Sequence, residues 1–164
     1  MAIARKLLAV LFKLEAAVAT MAFLAIALLL LADVAMRELA GSSIWGAQRI
    51  SVYLMILTGF LGLGLAADRG RHLRPRFADR LVPIPWIKAA DRLGSAIMFA
   101  VFLYFAWLGV DFVKSAYRYG DLAQTIKTPL WIIELVVPYA FLSISVRYLV
   151  FTIWPGLKPG EVNE

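Results

Sequence analysis

Four long apolar stretches fill most of this 164-residue chain, and they constrain it more than any other feature. They run from Ala16 to Ala32, Ile50 to Ala67, Leu93 to Val110 and, interrupted by two charges, Leu130 to Trp154. A helix rises about 1.5 Å per residue, so crossing a hydrocarbon core of ~30 Å takes roughly 20 residues, and each stretch approaches that length. In lipid only helices and closed barrels satisfy their backbone hydrogen bonds internally. With 62% of residues hydrophobic and little outside the four runs, no room is left for a separate soluble domain. The expected fold is an all-α integral membrane protein: one domain with spans at about 14–35, 48–68, 90–113 and 130–153.

Charge orients the spans, because cytoplasmic segments retain Lys and Arg. Arg5, Lys6 and Lys13 precede the first span; Arg69, Arg71, Arg74, Arg76, Arg80, Lys88 and Arg92 fill the second connector; Arg147 and Lys158 lie near the end. Of the 17 basic residues, only Arg37, Arg49, Lys114, Arg118 and Lys127 fall on the opposite side. Both termini are therefore expected in the cytoplasm. The net charge of +6 is explained by orientation and by anionic lipid headgroups, and no nucleic-acid partner is expected.

Composition narrows the chemistry. Without cysteine there are no disulfides, thiolate metal sites or thiol nucleophile, and the single histidine, His72, cannot give a haem both axial ligands. The chain carries no P-loop, dinucleotide fingerprint, helical His pair or serine elbow. No catalytic residue, cofactor or metal is assigned, and His72 reads as a hydrogen-bonding residue at the interface. The first span is expected to stay in the membrane, because the residues after Leu31 lack a small-x-small cleavage site.

Along the chain, Leu7 to Leu14 form a helical lead-in, with Lys13 and Glu15 at the membrane edge. Asp33 and Arg37 stand four apart on one helical face at the other end of the span. Either they are an exposed pair contributing roughly 0–1 kcal/mol, or they fix the span's end against a neighbour. Gly41 is a helix stop, Ser42 or Ser43 a cap for the next helix, and Trp45, Trp86 and Trp131 are interfacial anchors. In the second span, Thr58, Gly62 and Ala66 recur every four residues, a small-residue stripe that admits a helix from the same chain or from a partner. Gly70 breaks that helix. Leu73, Phe77 and Leu81 then space an apolar face among arginines, which predicts a short interfacial amphipathic helix over about 73–82.

The fourth span is unusual. Glu134 and Arg147 lie 13 positions apart, about 20 Å of helix inside a ~30 Å core. Two readings stand: both side chains snorkel to opposite headgroups, or the Glu134 end faces protein or a wet crevice. Pro138 has no N–H for the Glu134 carbonyl, so a kink is expected there.

These residues together form a pattern. Asp33, Arg37 and Trp45, the Gly62 region, the Arg69-Gly70-Arg71-His72 turn, Leu81 with Pro83, then Pro129, Trp131, Glu134 and Pro138 follow in an order that resembles the DctQ-like small membrane subunit of tripartite ATP-independent periplasmic (TRAP) transporters. The resemblance covers most of the chain. It departs at Ala47 and Gln48, where the family usually has acidic residues, and after His72, where Leu73-Arg74-Pro75-Arg76 is more basic and stiffer.

The resemblance implies a non-catalytic subunit of the bacterial inner membrane. Its partners would be a large membrane subunit that carries an organic acid with sodium, a periplasmic binding protein that delivers it, and membrane lipid. Arg69, Gly70 and His72 would form the cytoplasmic turn; Glu134, Pro138 and Arg147 would face the partner; Arg49, Lys114, Arg118 and Lys127, with Arg37, would lie where the binding protein docks. Two alternatives remain: a self-sufficient four-span proton-coupled carrier, or an anchor or assembly subunit of another complex. The carrier needs a carboxylate deep in a span, whereas Glu15, Asp33, Asp68 and Asp111 read as span ends and Glu134 lies only a few residues inside.

Overall fold

The computed structural model describes residues 2–68, 87–123 and 127–157. Helix α1 spans Ala2–Ala40, α2 Ala47–Asp68 and α3 Ile87–Tyr119; α4 (Leu130–Glu134) and α5 (Val136–Ile153) together form the fourth span, followed by a 3-10 turn at Pro155–Leu157. All four spans are long and apolar enough to cross a membrane. The lead-in at Leu7 to Leu14 is continuous with the first span. At about 1.5 Å per residue, the 39-residue α1 is far longer than a ~30 Å core requires.

The fourth span lies at the centre. More than half of its apolar stretch (56%) is buried, against 17% for α1 and α3, so it is the helix around which the others pack. It contacts both α3 and α2, and α1 lies along α2. Lipid tails are as apolar as leucine, so packing here rests on shape, ring contacts and polar pairs. Phe60 of α2 meets Phe141 of α5 edge-on at 5.8 Å, and Phe102 of α3 stacks on Tyr148 at 5.8 Å. The Ser145 hydroxyl donates to the Phe99 carbonyl at 3.2 Å, a further tie between α5 and α3.

Helix ends follow the local chemistry. Gly41 takes a positive φ of 64° and donates its N–H to the Arg37 carbonyl, stopping α1 as expected. Gly120 (φ 67°) ends α3 in the same way, with the Asp121 N–H reaching back to the Ala116 carbonyl. A small antiparallel pair then appears that the sequence reading missed: β1 (Leu122–Ala123) against β2 (Thr128–Pro129), with Leu122 opposite Pro129. The helix of the fourth span is divided at Leu135, three residues before Pro138, although Leu135 keeps helical φ and ψ (−55°, −23°) and its N–H still donates to the Trp131 carbonyl.

The interfacial helix over 73–82, the turn residues Arg69, Gly70 and His72, and Trp86 lie outside the described residues.

Candidate functional site

A charged cluster occupies the middle of the bundle. Arg147 has 0% of its surface exposed and Glu15 2%. The guanidinium reaches Glu15 Oε2 at 2.7 Å through Nη2, donates to the Ser143 hydroxyl oxygen at 2.8 Å through Nη1, and meets Asp68 Oδ1 at 3.4 Å through Nε. Glu15 Oε1 accepts from the Ser143 hydroxyl at 2.5 Å and the Tyr139 hydroxyl at 3.3 Å. Two carboxylates thus face one guanidinium, and the pair joins α1, α2 and α5. On each helix it falls between two apolar clusters: Glu15 between Leu8 and Ala19, Gly64 between Leu61 and Ala67, Ser143 between Val136 and Ile144.

Gly64 makes the space. A Cβ there would come within 2.9 Å of Glu15 Oε2 and 3.1 Å of Arg147 Nη1, so a side chain would occupy the ion pair's position. This bears on one reading of α2's small-residue stripe, packing against a helix of the same chain. Among the described residues nothing lies within 4 Å of a Cβ built at Gly62, and the Thr58 hydroxyl is turned onto its own helix, donating to the Leu54 carbonyl. Ala66 is half-buried. The close approach within this chain is two residues from the stripe.

The reading of Arg147 is corrected. It neither snorkels to the headgroups nor presents its charge to a partner, because an internal carboxylate at the same depth compensates it inside the bundle. Glu15, read as an edge marker, is a buried carboxylate.

At the opposite end of the bundle, Asp33 closes a clasp. It is 2% exposed, pairs with Arg37, and accepts at Oδ1 from the Ser43 hydroxyl and the Ile44 N–H, both at 2.7 Å. One carboxylate therefore fixes the end of α1 to the connector that starts α2. Ser43 serves this clasp, and α2 opens instead from Gly46, whose carbonyl accepts the Ile50 N–H at 2.9 Å. Asp33 is thus more than half of an exposed ion pair, and what it holds is the chain's own connector.

Pro138 packs against Gly109 of α3, where a Cβ would lie 3.1 Å from the proline's N and Cα. Here two backbones touch. Glu134, at the end of α4, is half-buried, and its Oε2 is covered without a hydrogen-bond partner. Trp131 meets the Tyr117 ring edge-on at 5.8 Å, and Trp45 is 76% exposed.

The candidate docking cations are all on the surface near the connector end. Arg49, Arg118 and Lys127 are exposed; Lys127 adopts a positive φ of 51° beside β2; Lys114 lies 3.5 Å from Asp111 on α3. Gln48 is exposed and Ala47 buried. Among the described residues no group of three or more His, Asp or Glu side chains converges as a metal site would require.

Between α1, α2 and the fourth span runs an apolar groove of about 700 Å³, lined in part by Val18, Leu54, Leu57 and Val136, with Glu15 and Tyr139 also in its wall. Of the residues that build the central cluster, sequence reasoning had proposed only Arg147 as a site residue, and had read Glu15 and Asp68 as span ends. The available signal was charge balance: Glu15 and Arg147 are opposite charges on two spans, and an unpaired charge within a span is costly.

Comparison with known proteins accords with this architecture. Residues 26–154 match the family model described as the DctQ component of tripartite ATP-independent periplasmic transporters. The chain is 29% identical over 150 residues to the ectoine TRAP transporter small permease protein TeaB of Halomonas elongata, covering 92% of this chain and 77% of that protein. No solved structure matches. The four-span bundle thus belongs to the DctQ family of TRAP transporter small permease subunits.

Proposed function

We propose that this chain is the non-catalytic scaffold of a TRAP transporter in the bacterial inner membrane, with both termini in the cytoplasm. It binds the large membrane subunit and holds it in register while that subunit carries an organic acid with sodium, delivered by a periplasmic binding protein. The relative's name specifies ectoine; for this chain the substrate is a property of the partner subunits.

The observation that carries the scaffold reading is the saturation of Glu15. A proton-coupled carrier needs a carboxylate that exchanges its proton with water on each side in turn. Glu15 is the buried carboxylate the carrier alternative lacked at the sequence level, yet both its oxygens are engaged by Arg147, Ser143 and Tyr139. Such an arrangement holds helices together. The groove beside it is mainly apolar, and the carboxylate in its wall, Glu15, would repel an organic anion.

Within this reading, Glu134 alone marks the partner-facing end of the fourth span, with the partner supplying a donor to its carboxylate; Pro138, expected beside it, is buried against Gly109 of α3 instead. Arg49, Arg118 and Lys127 steer the binding protein, since charges on the rim of an interface act mainly on association rate. Reconstitution into proteoliposomes tests the assignment. Uptake requires this chain, the large subunit and the binding protein together, and vesicles holding this chain alone take up nothing. Uptake by this chain alone would establish the carrier alternative.

A further inference from the structure

We infer that the flank of the bundle between α3 and the fourth span holds a glycerophospholipid, with one acyl chain in an apolar slot and its phosphate at Lys114. The slot has a volume of about 280 Å³ and is lined by Val110, Val113 and Lys114 of α3 and by Leu135 and Pro138 of the fourth span, with Tyr117 and Trp131 at one end. Two contacts bound it. Toward the bundle's middle, the approach of Gly109 to Pro138 leaves no space between the backbones. Toward the connectors, the Tyr117 and Trp131 rings meet at 5.8 Å.

The chemistry along the slot is graded. Its deep part is aliphatic, whereas Lys114 sits five residues before the end of α3, about 7.5 Å along the helix, at a level where an ammonium reaches the headgroups. Its side chain is 66% exposed, and Arg118 follows one turn later, exposed on the same face. Tyr and Trp at this level are the side chains that settle among headgroups. An apolar slot beneath two cations and an aromatic pair complements an amphiphile with an anionic head.

Size separates a lipid chain from a protein helix. A helix with its side chains is about 10 Å across, and the neighbouring groove of about 700 Å³ is the feature on that scale. The smaller slot takes something thin. Asp111, 3.5 Å from Lys114, forms an exposed pair with it, weak enough for a phosphate to displace.

The test uses the full chain purified in mild detergent with added palmitoyl-oleoyl phosphatidylglycerol and read by native mass spectrometry. The wild type is expected to retain one lipid. Val113→Trp, which fills the slot, should lower retention at least fivefold, and Leu28→Trp, on an exposed stretch of α1, should leave it unchanged. Lys114→Glu, a surface change that spares the core, should lower retention to a similar degree by repelling the phosphate. Absence of bound lipid in the wild type, or retention at the wild-type level in either Val113→Trp or Lys114→Glu, would overturn the assignment. A photo-crosslinking residue at position 113 in native membranes gives an independent reading: an adduct with a phospholipid's mass supports the site, and an adduct to another protein chain refutes it.

Discussion

Glu15 and Arg147, 132 positions apart in the chain, meet at 2.7 Å in the middle of the bundle, with 2% and 0% of their side chains exposed. The pair joins the first and last spans, which otherwise pack mainly against α2 and α3 respectively. Because lipid cannot drive apolar helices together, a buried pair of this kind specifies which helices associate and in what register.

Removing one member leaves the other charge buried. Glu15→Leu or Arg147→Leu is expected to destabilise the detergent-solubilised protein by about 3 kcal/mol. The double variant should recover much of that loss, because no uncompensated charge remains. A double-mutant cycle on thermal unfolding measures the coupling, and additive effects would show that the two residues act separately.

Gly64 and Gly62 should respond differently to the same methyl group. Gly64→Ala places a Cβ 2.9 Å from Glu15 Oε2 and forces the ion pair apart, whereas the corresponding position at Gly62 is open among the described residues. A loss of about 1–3 kcal/mol is expected for the first, and a change within about 0.5 kcal/mol for the second. Thermal melts of the two purified variants compare them directly.

The clasp at Asp33 predicts a local effect. Asp33→Ala removes the acceptor of the Ile44 N–H and the Ser43 hydroxyl. Amide exchange at Ile44 should accelerate by at least tenfold, while amides in the middle of α1 keep their protection. Unchanged exchange at Ile44 would mean the connector is held by something else.

Glu134 tests the partner-facing end. Its covered Oε2 lacks a hydrogen bond within the described residues, so Glu134→Leu should leave the isolated chain folded and weaken its association with the large subunit. Pull-down yield measures this, and a variant that assembles and supports uptake normally would contradict the role.

Much of the fold was legible in the sequence because in membranes length and hydropathy carry the signal. The four spans, the Gly41 stop and the Asp33 and Arg37 pairing each follow from local spacing. What escaped depends on contacts between distant segments. Arg147 looked like a snorkelling residue because nothing near it in sequence is acidic, and its counter-ion comes from the first span. Spacing favoured Gly62, which shares a four-residue repeat with Thr58 and Ala66, whereas the close contact falls at Gly64, which only the packed helix faces reveal. The β1–β2 pair is too short, at two residues a strand, for any periodicity to show.

The central claim is that this chain is a scaffold bound to a larger membrane subunit. Purification of the tagged chain from its native membranes in mild detergent, with stoichiometric partners identified by mass spectrometry, tests it most directly. A much larger multi-span protein should be recovered in constant ratio, with a periplasmic binding protein joining when substrate is added. Recovery of a homodimer alone, with no larger membrane partner, would contradict the account.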